Sequence, residues 1–142
     1  MRGRGGTVEV GVAGDEFHAL ANSAPILIWL ADTRNQRTYF NARWLEFTGR
    51  TLEQELGLGW VASIHPDDAE RAARYCQDHF DARREFQMDD RLRHRDGTYR
   101  WVLDHGVPRY ASDGTFLGYI GACIDVTHRC LPPRALPERE AP

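Results

Sequence analysis

Two Asp-Gly steps, Asp96-Gly97 and Asp113-Gly114, constrain this chain more than any other feature. Glycine takes the positive-φ position of a tight reversal at no steric cost, and an Asp before it bonds its own backbone, so each step marks a hairpin. Three long strand-forming runs flank them, at 84–95, 98–110 and 115–127. Strands joined by tight hairpins run antiparallel, so this half of the chain reads as a three-stranded meander.

The first half adds a smaller hairpin. Ile26–Asp32 is rich in β-branched and aromatic residues, "TRNQ" at 33–36 is a turn, and "RTYFN" at 37–41 is a second strand. Asp32 and Asn41, at the strand ends, read as turn chemistry. Around this hairpin the periodicity is helical. Asp15–Ala24 places Phe17, Leu20, Ala21 and Ala24 on one face and stops before Pro25. "ARWLEFTG" at 42–49 ends on Gly49, and Thr51 with Gln54 forms a capping box for a short helix ended by Gly57. Pro66 opens a longer helix with Ala69, Ala72, Ala73, Cys76 and Phe80 as its apolar stripe. "HPDD" at 65–68 reads as capping of that helix, not as a metal site. Glu53 and Glu55 read as a solvated helix face. Arg91, Arg93, Arg95 and Arg100 beside Asp89, Asp90, Asp96 and Asp104 read as cross-strand ion pairs rather than a nucleic-acid surface.

The length of 142 residues suits one α+β domain, and 42% hydrophobic residues suffice for a core. Residues 1–14 read as a flexible lead and the Pro-rich 128–142 as an irregular tail. All 18 basic residues are Arg, which removes Schiff-base and other lysine chemistry. No apolar run is long enough to span a bilayer, so no membrane partner is expected. Cys76, Cys123 and Cys130 form no CxxC pair, and the six histidines lack zinc-ligand spacing. The expectation is a reducing, cytoplasmic setting with no metal, and no nucleophile–base–orienter set marks an enzyme.

The segments "ILIWLADTRNQRTYFN" (26–41), "RWLEFTGRTLEQELG" (43–57), "GWVASIHPDD" (59–68), "RLRHRDGTYRWV" (91–102) and "DGTFLGYIGACIDVT" (113–127) occur in one order and spacing. Together they resemble a PAS sensory domain over 15–127. The resemblance implies a five-stranded antiparallel sheet of order 2-1-5-4-3, with short helices on its inner face and an N-terminal helix. It also implies a non-catalytic input module that dimerises and passes a ligand- or partner-induced change to an output protein such as a histidine kinase, as in two-component systems. A haem- or flavin-bearing redox, oxygen or light sensor is the alternative. Flavin-adduct relatives carry Asn-Cys where this chain has Gly59-Trp60, and their flavin-bonding amides fall at Leu92, Val102 and Cys123, all non-amide here. Haem-bearing relatives use a His on the long helix. His79 lies there, but Asp78 and Asp81 beside it suggest solvent. No cofactor is therefore expected.

Alternation assigns the sheet faces. If Leu27, Trp29 and Ala31 face the helices, then Ile26, Ile28 and Leu30 face outward, as do Trp101, Leu103, Ala122 and Ile124. An apolar outer face needs a cover, which predicts a homodimer through that face and the N-terminal helix. The expected lining of the inner pocket is Leu27, Trp29, Tyr39, Trp44, Phe47, Trp60, Tyr75, Leu92, Val102 and Cys123. Such a pocket would take a small apolar ligand or be filled by its own side chains.

Overall fold

The computed structural model describes residues 19–23 and 25–127. The expected lead at 1–14, the tail at 128–142 and the ends of the expected 15–24 helix lie outside the described residues. Residues 19–23 are helical. Five strands follow the expected hairpins: β1 (Leu27–Ala31), β2 (Arg37–Phe40), β3 (Phe86–Arg93), β4 (Tyr99–Tyr110) and β5 (Phe116–Asp125). They form one antiparallel sheet of order β2-β1-β5-β4-β3. Between β2 and β3 run α1 (Ala42–Thr48), α2 (Leu52–Glu55), a 3-10 helix (Gly59–Ser63) and α3 (Pro66–Asp81).

Local chemistry sets the boundaries. The β1–β2 turn closes on Asp32, whose carboxylate accepts from the amides of Arg34 and Gln36. Asn41 caps α1 by accepting from the Trp44 amide at 3.1 Å. It does more than the expected turn chemistry. Fully buried, it also accepts from the Ile28 amide and donates to the carbonyls of Ala21 and Ile26, tying β1 to the 19–23 helix. Thr51 and Gln54 form the expected capping box on α2.

"HPDD" is only partly a cap. His65 is the N-cap of α3 and accepts from the Asp67 amide at 3.0 Å. The Asp68 side chain instead reaches from the helix to β3. It is 1% exposed and receives the Arg91 amide, Nε and Nη2 at 2.8–2.9 Å, clamping α3 to β3. Burial alone would raise the Asp68 pKa, but hydrogen bonds from Arg91 and the charges of Arg91 and Arg71 bring it below the usual carboxylate value.

The core lies between the sheet and the helices. Leu27, Trp29 and Ala31 are buried, whereas Ile28 and Leu30 are half-buried, as alternation requires. The Trp29 indole lies flat across β5 at Gly121, its register partner. A Cβ at residue 121 would stand 2.1 Å from the indole ring. Gly121→Ala is therefore expected to cost about 3 kcal/mol, because both backbone and ring are fixed and overpacking cannot relax. Urea denaturation measures it, and a loss under about 1 kcal/mol would mean the ring is free to move.

Candidate functional site

The inner face of the sheet holds a charged cluster in place of a purely apolar pocket. Arg37 starts β2 and is 2% exposed. Its amide donates to the Gly57 carbonyl at 3.1 Å, and its carbonyl accepts from the Gly57 amide at 2.8 Å. A register shift between Leu30 and Ala31 pairs Ala31 with Arg37 and skips Thr38. That extra residue turns the Arg37 side chain inward, onto the face of Trp29. The guanidinium carbon lies 3.5 Å from the Trp29 ring centre and 4.1 Å from that of Trp60. A desolvated guanidinium between two indoles is among the stronger cation–π arrangements, at about 2 kcal/mol or more.

Two carboxyls share this interior. Asp104 of β4, 4% exposed, accepts from Trp29 Nε1 at 2.8 Å and from the Cys123 thiol. Asp90 of β3, 2% exposed, neighbours it. Burial and then the Asp104 charge push Asp90 up to about 8, against the pull of Arg71 and Arg37. Asp104 is raised by burial, offset in part by the Arg37 charge and the bonds from Trp29 and Cys123. Burial thus favours a protonated Asp90 at neutral pH, while the Arg37 charge partly offsets the cost of ionising Asp104.

Both thiols touch the cluster. Cys76 of α3 accepts from Arg37 Nη2 at 3.8 Å and donates to Asn35 Oδ1 at 3.9 Å. Burial raises its pKa, and it raises that of Cys123 far more, with Asp104 and Asp90 adding to the effect. Neither thiol is a thiolate nucleophile near neutrality. Several donors have no acceptor among the described residues: Arg37 Nε and Nη1, Trp44 Nε1 and Trp60 Nε1. Such buried groups carry an uncompensated desolvation cost that a bound water or polar ligand would relieve.

The sequence-expected lining divides into three sets. Leu27, Trp29, Trp44, Trp60, Leu92, Val102 and Cys123 come together in the buried core. Phe47 and Tyr75 pack against it, half-buried. Tyr39 stands apart. It pairs with Leu30 on the other face of the hairpin, and its hydroxyl donates to Asn22.

Sequence reasoning missed Arg37, Asp90, Asp104 and Glu55. Two assignments are corrected. Glu55, expected in solvent, is fully buried and accepts from Arg50 Nε at 2.7 Å and Ser63 Oγ at 3.0 Å. Asp90 and Asp104, expected in cross-strand ion pairs with the arginines, are buried, and Arg91 pairs with Asp68. A signal existed for the two aspartates, since each stands two residues from a residue assigned inward, Leu92 or Val102.

The flavin considered from sequence does not fit these residues. Trp60 and Leu92, Val102 and Cys123 are all buried at the positions a flavin edge would need, and none offers an amide. Cys123 is committed to Asp104, and the Trp29–Arg37–Trp60 stack fills the adjoining space. His79 engages Nδ1 with the Tyr75 carbonyl at 3.0 Å and packs on the Tyr75 ring. Among the described residues no group of three His, Cys, Asp or Glu is placed to hold a metal.

Known proteins with this pattern agree in fold. The chain is 43% identical over 113 residues to the uncharacterized protein y4lL of Sinorhizobium fredii. It is 28% identical over 121 residues to the peroxide stress-activated histidine kinase mak1 of Schizosaccharomyces pombe. Those alignments cover 80% and 79% of this chain but only 14% and 7% of the relatives' lengths. The crystal structure of a PAS domain from Colwellia psychrerythraea superposes with a TM-score of 0.66 at 20% identity, over 82% of this chain and 99% of that one. Residues 37–123 match the PAS fold family PAS_3. With most of its length inside that match, the chain belongs to the PAS fold family, as a sensory domain.

Proposed function

We propose that this domain is a non-catalytic input module that signals through a homodimer. The observation carrying this reading is the Trp29–Arg37–Trp60 stack. It joins β1, β2 and the 3-10 helix to Asp104 of β4 and Cys76 of α3, so a shift in one element is felt by the others. The inner compartment is then largely filled by its own side chains. The unmet donors favour a small polar occupant over the apolar ligand expected from sequence. The buried lining is Leu27, Trp29, Trp44, Trp60, Leu92, Val102 and Cys123. The output is a signalling protein such as a histidine kinase, in keeping with the name of the relative from Schizosaccharomyces pombe. Unpaired, buried Cys76 and Cys123 accord with a reducing, cytoplasmic setting.

The second copy docks on the outer sheet face. Ile28 and Leu30 of β1, Ile120, Ala122 and Ile124 of β5, and Leu103 and Val107 of β4 adjoin there by strand register. All are half-buried in a single chain. In the 19–23 helix Ala21 is buried while Leu20 is 69% exposed, so this helix offers a free apolar side chain beside the sheet. Apolar area of this kind gains about 25 cal/mol per Å² when a twin covers it. Light scattering on the eluted protein is expected to give twice the 16.2 kDa of one chain. Leu30→Glu/Ile120→Glu is expected to weaken dimerisation by at least about a hundredfold, since two charges would enter an apolar contact. A monomer at micromolar concentration, or a double variant that stays dimeric, would overturn the reading.

A further inference from the structure

A second, separate site lies where the last residues of β3 leave the sheet. Thr48, Gly49, Arg50, Ala62, Ser63, Arg93, His94 and Arg95 enclose a cleft of about 290 Å³. Three guanidinium groups and an imidazole share it, and none of its lining residues is a carboxylate, in a chain whose net charge is −3. The cations are not equivalent. Arg50 is committed to Glu55 and to the carbonyls of Gln54 and Gly59. The side chains of Arg93 and Arg95 make no hydrogen bond or ion pair among the described residues. Glu55 is engaged with Arg50 and Ser63, Asp96 with Thr98 and Arg100, and Glu46, in a neighbouring cleft that also includes His94 and Arg95, lies 3.9 Å from Arg43.

The backbone holding these arginines is fixed. The Arg95 amide donates to the Phe47 carbonyl at 2.7 Å, and the His94 amide to the Thr98 carbonyl at 2.7 Å. The His94 ring stands edge-on to Phe47 at 4.8 Å. Gly49 abuts Arg95 so closely that a Cβ at residue 49 would lie 2.9 Å from the Arg95 Cβ. A held backbone thus carries two exposed guanidinium groups, unpaired among the described residues, at the side of a concave site, which suits bonding to a tetrahedral oxyanion. The volume is at the small end of ligand pockets, which run from about 300 to 1,000 Å³.

We infer that this cleft binds a small phosphorylated metabolite, its phosphate held by Arg93 and Arg95. The site is distinct from the interior cluster and does not depend on the dimer. The probe is sodium phosphate, added to the ¹⁵N-labelled full chain at constant ionic strength and followed by amide shifts. Saturable shifts of Gly49, Ala62, Ser63 and His94 are expected, with phenyl phosphate binding more tightly than inorganic phosphate. Arg93→Gln/Arg95→Gln, whose side chains are exposed, is expected to keep the dispersed spectrum and bind at least about tenfold more weakly. Linear drift without saturation, unchanged affinity in the double variant, or acetate binding as well as phosphate would each overturn the assignment.

Discussion

Arg37→Met is expected to destabilise the domain by about 3 kcal/mol, because it removes a buried cation that lies between two indoles and acts on two buried carboxyls. The loss has two parts. Methionine fills similar space between Trp29 and Trp60, but the cation–π attraction at 3.5 and 4.1 Å disappears. In addition, Asp104 keeps its bonds from Trp29 and Cys123 and loses the favourable field of the Arg37 charge. Without the Arg37 charge, burial raises the Asp104 pKa further and makes its ionised form more costly in the folded state. The double variant Arg37→Met/Asp104→Asn is expected to recover a large part of the loss, because asparagine still accepts from the Trp29 indole without a charge to compensate. Urea denaturation of the set measures this coupling directly. A loss below about 1 kcal/mol for Arg37→Met would place the guanidinium in solvent, outside the stack.

The second large effect is a pH dependence opposite to that of an ordinary surface carboxyl. Asp90 titrates at about 8 in the fold, against 3.8 for an unperturbed aspartate. Between those values the folded state binds the proton and the unfolded state does not. Its contribution is fully present below about pH 4 and is lost as pH rises towards 8, with no further change above that. Asp104, also raised by burial, acts in the same direction, whereas Asp68, lowered by Arg91, loses its contribution as pH falls through its folded value. Asp90→Asn isolates the first group. Asparagine mimics the protonated carboxyl, so the variant should match the parent near pH 5. It should be more stable by a few kcal/mol at pH 9, where the parent must bury a charge. Melting curves at both pH values check it. A variant less stable than the parent at pH 9 would mean that Asp90 is ionised and paired in the fold.

Much of the fold was legible because local chemistry agrees with the global arrangement. Asp96-Gly97 and Asp113-Gly114 fixed the meander, and the Thr51 capping box and Pro66 fixed the helix starts. The orientation of β1 followed from simple alternation. What was not legible depended on departures from period two or on distant partners. A regular β2 would turn Arg37 to the same face as Tyr39, and only the irregularity at Leu30 and Ala31 brings it inside. Nothing in the run "RTYFN" announces that bulge. Tyr39, expected in the lining, pairs instead with half-buried Leu30, a register that the run itself does not display. Glu55 looked solvated because its partners, Arg50 and Ser63, sit five residues before and eight after it on different elements. The Asp68–Arg91 clamp spans 23 residues and joins a helix to a strand, a pairing no local pattern encodes.

The sheet's inner face closes over a desolvated guanidinium held between two indoles. Side-chain ¹⁵N NMR of arginine tests it most directly. Arg37 Nε–H should give a ring-current-shifted signal that survives at pH 8, where exposed guanidinium protons exchange too fast to be seen. It should move on replacement of Trp60 by Phe. A spectrum in which Arg37 exchanges as fast as Arg93 and Arg95, and ignores Trp60→Phe, would contradict the account.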